Sequence, residues 1–239
     1  MNRETLTYTV DGLTMKSELF FGPAAGKRGG VLVFPEAFGL GKHALGRAER
    51  LAKMGFVALA CDLHGDAKQA AALDEAVGLL QPLFADPEKT RARAKAAMAA
   101  LAARPEVDAG KIASIGFCFG GTMSLELARS GADVKAVVGF HSGLGTNAAK
   151  SAPGSIKARV LACIGADDPM IPVEQRNAFE AEMTEAKADW QLHTYGGVVH
   201  SFTNPDAAAV NMPNAIRYDA DADARSWAAL EELFGETIR

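Results

Sequence analysis

The sequence has few cysteines, no long hydrophobic run and no excess of basic charge. Its three cysteines, Cys61, Cys118 and Cys163, are an odd and sparse set among 239 residues. Such a set is poor material for a disulfide framework and fits a reducing compartment, so we expect a cytoplasmic protein. Cys61 and Cys163 lie in apolar, strand-like runs, which favours a role as small core residues.

Neither a membrane nor a nucleic acid is indicated as a partner. No apolar run approaches the ~20 residues that a membrane-spanning helix needs. The first ten residues alternate polar and apolar positions, so we expect no signal peptide. The net charge is −4, and basic residues such as Arg91, Arg93 and Lys95 are dispersed along a helical pattern, whereas a domain that binds polyanions clusters them.

What is present is the composition of an ordinary globular chain. Hydrophobic residues make up 49% of the sequence and charged residues 23%, which indicates neither a disordered nor a fibrous protein. A chain of this length can bury a substantial core without a second unit. We expect one domain over residues 1–239, present as a monomer or a homodimer.

Short apolar runs alternate with helical patterns through most of the chain. Two alternating segments, 5–10 and 16–21, flank Asp11-Gly12 and predict a hairpin. Compact apolar runs typical of strands buried on both faces follow at 31–34, 57–60, 112–115, 134–138, 160–164 and 190–195. Helical patterns cover 44–54, 71–84, 87–103, 122–129, 173–187 and 222–234. This alternation predicts an α/β fold with a mostly parallel central sheet and helices on both faces.

Three local signals refine this prediction. Asp86 followed by Pro87 is typical of a helix start, with a capping carboxylate before a proline whose missing N–H costs nothing at N1. In the last helix, Trp227, Leu230 and Phe234 share one face and should pack on the sheet. The irregular stretch 203–218 is predicted to be a loop that flanks the mouth of the site.

Reactive side chains follow the predicted strands directly. In an open parallel sheet, ligands and catalytic groups gather at the carboxyl ends of the strands. The residues that come at these positions are Glu36, Asp62, His64, Cys118, His141, Asp167, Asp168 and His200. The pattern therefore predicts an active site at this edge of the sheet.

Residues 112–121 have the pattern of a nucleophile elbow. A β-branched run ends in Gly116-x-Cys118-x-Gly120 and passes at once into a helical pattern. The glycines allow the strand and the helix to approach closely around a strained residue. The helix N-terminus favours an anion, which suits a thiolate at Cys118. The alternative is a buried structural cysteine beside a glycine-rich turn.

An acid and a histidine follow Cys118 in the order that α/β hydrolases use. A thiol nucleophile needs a base, and the base needs a carboxylate to orient it. His200 lies on a glycine-led loop after the last strand and is the candidate base. Of the two adjacent acids we choose Asp168, because the Gly165-x-x-Asp168 spacing matches the acid turn of this fold, and Asp167 is the alternative.

No metal or other cofactor is expected. Asp62, His64, His141, Asp168 and His200 could in principle gather as metal ligands, but the sequence has no HxxxH or HxH spacing. The two other histidines, His43 and His193, follow none of the strand runs closely enough to be given a role.

Four fragments together resemble the dienelactone hydrolase family of the α/β-hydrolase fold. They are Pro35-Glu36-Ala37-Phe38-Gly39, Gly116-Phe117-Cys118-Phe119-Gly120-Gly121, Gly165-Ala166-Asp167-Asp168 and His200-Ser201-Phe202. The resemblance extends over nearly the whole chain. It implies a hydrolase without a cofactor, whose partner is a small-molecule ester or lactone and whose reaction passes through a thioester.

The resemblance also implies a role for each site residue. Cys118, Asp168 and His200 would form the catalytic triad, and the backbone N–H groups of Ala37 and Phe119 would form the oxyanion hole. Glu36 would control the protonation of the thiol, which in the resting enzyme points neutral towards this carboxylate.

One position departs from the family pattern. Members of the chlorocatechol pathway carry an arginine four residues after the triad histidine, where this chain has Asn204. A neutral amide cannot replace a bidentate guanidinium on a substrate carboxylate. Asn204 therefore argues against dienelactone itself as the substrate.

Two other classes of protein stay open. A glutamine amidotransferase-like enzyme of class I also has Gly-x-Cys-x-Gly after a strand, but it predicts His and Glu two residues apart, and Phe202 lies two residues after His200. The other class is a non-catalytic binding or redox-sensing module in which Cys118 is merely oxidised.

Overall fold

The computed structural model describes residues 1–23 and 26–239, and within them the chain forms eight strands and six α-helices. The strands are β1 (Asn2–Val10), β2 (Leu13–Phe21), β3 (Arg28–Phe34), β4 (Val57–Ala60), β5 (Val107–Phe117), β6 (Ala136–Phe140), β7 (Arg159–Gly165) and β8 (Asp189–Tyr195). The helices are α1 (Lys42–Lys53), α2 (Leu73–Ala85), α3 (Pro87–Ala102), α4 (Phe119–Arg129), α5 (Val173–Glu185) and α6 (Ala220–Thr237). Over the same residues, no helix combines the length and apolar character needed to cross a bilayer.

All eight strands join one sheet in the order β1-β2-β4-β3-β5-β6-β7-β8. β1 and β2 form the predicted hairpin, and β2 pairs antiparallel with β4. The other adjacent pairs are parallel. Asp11 and Gly12 both have positive φ, 55° and 73°, the backbone that joins twisted strands in a two-residue hairpin. The predicted mostly parallel α/β sheet is confirmed.

The core lies in two layers, one on each face of the sheet. Helices α1 and α6 cover one face, and Trp227, Leu230 and Phe234 of α6 are buried there as predicted. Helices α2 to α5 cover the other face. Cys61 and Cys163 are buried in opposite layers and unpaired, so their predicted place in the core is confirmed.

The helix boundaries agree with the sequence where a capping group sets them. Asp86 accepts hydrogen bonds from the N–H groups of Glu88 and Lys89 at 3.0 and 3.2 Å and begins α3 as predicted. The predicted helix 122–129 begins three residues earlier, at Phe119, because α4 starts directly at the turn after β5. This early start places the first turn of α4 against the carboxyl ends of the central strands.

Candidate active site

The backbone at Cys118 has the strained geometry of a nucleophile elbow. Its φ of 53° and ψ of −122° lie in a region that residues with a side chain rarely adopt. The N–H of Cys118 donates to the carbonyl of Phe140 at 3.0 Å, and its own carbonyl accepts from the N–H of Gly121 at 3.0 Å. These bonds to β6 and to α4 hold the strained turn in place.

Three glycines make this turn possible. A Cβ on Gly116 would overlap the backbone of Gly120, and a Cβ on Gly120 would overlap the carbonyls of Phe34 and Pro35. The predicted reason for both glycines is confirmed. A Cβ on Gly121 would overlap the side chain of Ser142 after β6, so the start of α4 is packed closely against both neighbouring strands.

The structure brings Asp168 and His200 together. Nδ1 of His200 lies 2.7 Å from Oδ2 of Asp168, and both side chains are buried. The other carboxylate oxygen of Asp168 accepts from the N–H of Met170 at 2.8 Å, which fixes its orientation. Asp167, by contrast, is exposed. The geometry therefore agrees with the choice of Asp168 over Asp167.

The second ring nitrogen of His200 is unpaired among the described residues, and His200 lines the same cavity as Cys118. This nitrogen, Nε2, is buried and has no hydrogen-bond partner among residues 1–23 and 26–239. Burial lowers the pKa of His200. A Cys118 thiolate and the hydrogen bond with Asp168 raise the pKa by more than burial lowers it, and the result is about 10. His200 is therefore protonated at neutral pH when Cys118 carries a negative charge.

Two backbone N–H groups beside the thiol have no acceptor. In the described part of the chain, the N–H groups of Ala37 and Phe119 make no hydrogen bond. Phe119 is the first residue of α4, where N–H groups lack an intrahelical acceptor. The carbonyl of Ala37 lies 2.9 Å from Nε2 of His64, which anchors this loop after β3. Both free N–H groups can bind an oxyanion.

Glu36 is an ionised carboxylate held by three side chains. Ser201 Oγ donates to Oε1 at 2.8 Å, Asn204 Nδ2 donates to Oε2 at 2.5 Å, and Nδ1 of His43 lies 3.6 Å from Oε2. Burial raises the pKa of Glu36, but His43, His141 and Ser201 lower it more, to about 2. No hydrogen bond joins Glu36 to the Cys118 thiol in the described residues, unlike the resting contact that the family resemblance implies.

A cavity of about 550 Å³ is lined by Glu36, Ala37, Cys118 and His200. Its wall beyond them is largely apolar and includes Phe38, Leu73, Met170, Val210 and Ile216. Lys42 is the one lysine or arginine on the wall within the described residues. The stretch 203–218 flanks the mouth as predicted and contains a 3₁₀ helix, Ala207–Val210. The cavity therefore suits a small, mostly apolar molecule.

Two of the predicted strand-end residues build the loop after β4 and take no part in the cavity. The carboxylate of Asp62 accepts hydrogen bonds from four backbone N–H groups between 2.7 and 3.1 Å, those of Lys16, His64, Gly65 and Ala67. His64 binds the Ala37 carbonyl, as described above. In the part of the chain that is described, no group of three or more His, Cys, Asp or Glu side chains could hold a metal ion.

The structure adds residues that the sequence reasoning missed. His141, expected only as a strand-end residue, accepts a hydrogen bond at Nδ1 from the N–H of Cys118 at 3.1 Å. Its Nε2 lies 2.8 Å from Oγ1 of Thr203, which in turn lies 3.4 Å from Nε2 of His43. His43 lies in the first turn of α1 and follows no strand directly. Its nearness in sequence to the Glu36 loop is the one signal that could have found it.

The chain matches known proteins over almost its whole length. Residues 17–238 match the model of the dienelactone hydrolase family. A carboxymethylenebutenolidase of Pseudomonas sp. is 31% identical over 224 residues, which are 88% of this chain and 87% of the relative.

Solved structures give the same result. A dienelactone hydrolase-like promiscuous phosphotriesterase from metagenomic libraries is 45% identical, with a TM-score of 0.95 and coverage of 100% of this chain and 99% of that one. A dienelactone hydrolase from Anabaena variabilis shares the fold at 21% identity, with a TM-score of 0.71 and coverage of 100% and 99%.

Proposed function

Since the chain belongs to the dienelactone hydrolase family and is a lactone or ester hydrolase, we propose that Cys118, His200 and Asp168 carry out its reaction. Cys118 is the nucleophile, His200 transfers the protons, and Asp168 orients His200. The observation that carries this proposal is the buried His200 ring, which is bound to Asp168 through Nδ1, is unpaired at Nε2 within the described residues and lines the same cavity as Cys118. Neither the fold nor the related proteins favour a glutamine amidotransferase-like enzyme or a non-catalytic thiol sensor.

The first half of the reaction forms a thioester. The Cys118 thiolate attacks the carbonyl carbon, and the electron pair of the C=O bond moves to oxygen. The free N–H groups of Ala37 and Phe119 stabilise this oxyanion, each by ~3 kcal/mol in comparable sites. When the carbonyl re-forms, the C–O bond to the leaving group breaks, and the imidazolium of His200 gives its proton to the departing alkoxide.

The second half of the reaction releases the acid. Neutral His200 takes a proton from water, and the hydroxide attacks the thioester carbonyl in the same oxyanion hole. The C–S bond breaks and restores the thiolate, while the imidazolium of His200 forms again. Asp168 stays ionised throughout and stabilises the charged ring.

We propose further that the substrate is uncharged near the thiol. Glu36 places a fixed negative charge in the cavity, and the donors that bind it, Ser201 and Asn204, are neutral. A substrate carboxylate there would meet like charge without a guanidinium to bind it. Lactones, alkyl esters and aryl esters without a charged group fit this site.

A second candidate function is the hydrolysis of an uncharged phosphotriester. It is supported by the 45% identical phosphotriesterase structure, which matches this chain over its full length. A phosphotriester is also neutral and would meet the same thiolate and the same free N–H groups.

The nucleophile is tested with 4-nitrophenyl acetate. Replacement of Cys118 by Ala should lower kcat/KM by about 10³-fold or more, because the covalent route is lost. Replacement of the buried Cys163 by Ala removes another thiol distant from the cavity and should leave the rate within about twofold. Mass spectrometry of the wild-type protein should show an acetyl group on the peptide that contains Cys118.

A Cys118→Ala protein as active as the parent would refute the nucleophile assignment. The same three proteins assayed with a dialkyl 4-nitrophenyl phosphate test the second candidate. Release of 4-nitrophenol that depends on Cys118 would support it, and release equal in all three proteins would exclude it.

A further inference from the structure

A file of hydrogen-bonded side chains runs through the interior from the Cys118 turn, and its last member lies 3.6 Å from the Glu36 carboxylate. In order, its members are His141, Thr203 and His43. His141 and Thr203 are fully buried, and the side chain of His43 is 9% exposed. The proposed reaction uses none of these three side chains, although burial of polar groups is costly unless each is satisfied.

The direction of the first two bonds is fixed by chemistry. The backbone N–H of Cys118 is shared between the Phe140 carbonyl at 3.0 Å and Nδ1 of His141 at 3.1 Å. Because an N–H can only donate, Nδ1 of His141 accepts and carries no proton. The proton of the neutral ring is then on Nε2, which donates to Oγ1 of Thr203 at 2.8 Å. Burial and the charges of His200, His43 and Arg47 hold the pKa of His141 well below its usual range, against the opposing charge of Glu36, so the ring is neutral.

The direction of the remaining bonds follows in the same way. Nε of Arg47 can only donate, and it lies 3.3 Å from Nε2 of His43. The hydroxyl of Thr203 accepts from His141 and has its own proton free for the same Nε2, 3.4 Å away. His43 therefore carries its proton on Nδ1, which lies 3.6 Å from the Glu36 carboxylate. At that distance the contact is electrostatic, longer than a hydrogen bond.

Arg47 also binds the backbone of the file at Thr203. Its Nη2 donates to the carbonyl of Thr203 at 2.5 Å and to both carboxylate oxygens of Asp223 at 2.8 Å. This ion pair is largely buried and joins α1 to the start of α6. Arg47 lies one turn after His43 in the same helix, so its bond to the Thr203 carbonyl fixes Thr203 relative to His43 and α1.

We propose that His141, Thr203 and His43 are positioning residues. Donor and acceptor are fixed in each of their hydrogen bonds, which fixes the tautomer of His141 and thereby the position of the Cys118 turn. The proposal rests on the proposed function, in which Cys118 is the nucleophile. With the opposite tautomer, the Nδ1–H of His141 would face the N–H of Cys118, and two donors in contact would displace the turn. The ring of His141 also packs edge-on against His200 at 5.0 Å between centroids. Because His141 is neutral, it places no second positive charge beside the His200 imidazolium.

The first test compares two substitutions of Thr203. Thr203→Val keeps the shape but removes the acceptor of His141, and it should lower kcat with 4-nitrophenyl acetate by about 10-fold to 100-fold with KM within about twofold. Thr203→Ser keeps the oxygen and should restore most of kcat. Thr90 is the control, because it is also buried and its Oγ1 makes a hydrogen bond outside the file, to the carbonyl of Leu83 at 2.9 Å; Thr90→Val should leave kcat unchanged.

The second test needs no substrate. Nitrogen-15 NMR of the imidazole rings distinguishes a protonated from an unprotonated ring nitrogen. The wild-type protein should show His141 protonated on Nε2 and His43 on Nδ1, and Thr203→Val should shift His141 towards a mixture of tautomers.

The two tests separate this proposal from the proposed function. Reversed tautomers in the wild-type protein would refute the assigned hydrogen-bond directions in the file, even if activity depends on Cys118. The expected tautomers together with a fully active Thr203→Val protein would overturn the positioning role. Loss of the Cys118 dependence in the earlier assay would instead refute the nucleophile, and the NMR result would stand unaffected.

Discussion

At the scale of single residues, Glu36 determines the charge of the site. Its carboxylate is ionised, and the bonds it accepts come from the neutral side chains of Ser201 and Asn204. Its pKa of about 2 is lower than the ordinary value of 4.5, so Glu36 stabilises the fold above pH ~4.5, and this contribution is lost as the pH falls towards 2. At the pH of any ordinary assay the carboxylate is therefore charged.

Replacement of Asn204 by Arg should change which esters are accepted. The guanidinium would add a positive charge next to Glu36, where the amide nitrogen now lies 2.5 Å from Oε2. We expect the ratio of kcat/KM for 4-nitrophenyl hemisuccinate to that for 4-nitrophenyl acetate to rise by about tenfold, the effect of ~1.4 kcal/mol. Asn204→Met, of similar length and without charge, is the control, and an equal rise in both variants would argue against the charge explanation.

The residues of the site were predictable from the sequence to different degrees. Glu36, Cys118, Asp168 and His200 were found because each follows a strand, and parallel strands end at one edge of the sheet. His43 and Thr203 could not be found in this way. Their contact depends on the path of the loop after β8, which tertiary packing decides and no local pattern encodes.

At the scale of elements, the junction of β5 and α4 is the most constrained part of the fold. No space exists for a Cβ at Gly116, Gly120 or Gly121, and Cys118 between them has a positive φ. The backbone itself therefore sets where the thiol lies. A change of side chain at these glycines acts on the position of Cys118 before it acts on any contact with a substrate.

Gly116→Ala should destabilise the protein or prevent folding. The new Cβ overlaps the backbone of Gly120, and we expect a loss of at least ~3 kcal/mol in the free energy of unfolding, measured with urea. Gly78 is a matched control, because it lies inside α2 with nothing within 4 Å of a Cβ. Gly78→Ala should stabilise the protein by up to ~1 kcal/mol, and a neutral Gly116→Ala would show that the turn is not as tight as described.

The elements themselves were largely predictable, and the differences lie at their ends. β4 forms over the predicted residues 57–60, because the apolar run stops where the sheet stops. β5 begins at Val107, five residues before the predicted run, across the turn-like residues Asp108 to Gly110. Val107 and Asp108 pair with Arg28 and Gly29 of β3, and the next pair is Gly30 with Ile112. The three residues between them form a bulge, so tertiary pairing extends the strand past a local turn preference.

At the scale of the whole molecule, a buried ion network joins the helices on one face of the sheet. Arg129 of α4 donates to Glu182 of α5 at 2.7 and 2.8 Å and to Glu126 of its own helix at 3.1 Å. Glu126 also accepts from Arg91 of α3 at 2.8 Å. The side chains of Arg129 and Glu126 are 1% and 3% exposed, so water cannot replace a missing partner.

Arg129→Met should therefore lower the free energy of unfolding by ~3 kcal/mol, since Glu182 loses its cation and the buried Glu126 keeps only Arg91. Lys150 is the control, because its ion pair with Glu185 is exposed, and Lys150→Met should change stability by less than ~1 kcal/mol. Urea unfolding of both variants measures the difference. Equal values for the two variants would show that the network contributes no more than a surface pair.

Residues 200–204, in the stretch after β8, include four side chains of the site. These are the proposed base His200, two donors to Glu36 and the central member of the file; the last three are Ser201, Asn204 and Thr203. The backbone of His200 is tied to Ala215 and Arg217 on the far side of the loop. An outward displacement of this short segment would therefore disturb three features of the proposed reaction at once: proton transfer by His200, the charge at Glu36 and the position of the Cys118 sulfur. The activity should respond to the position of this segment as a whole.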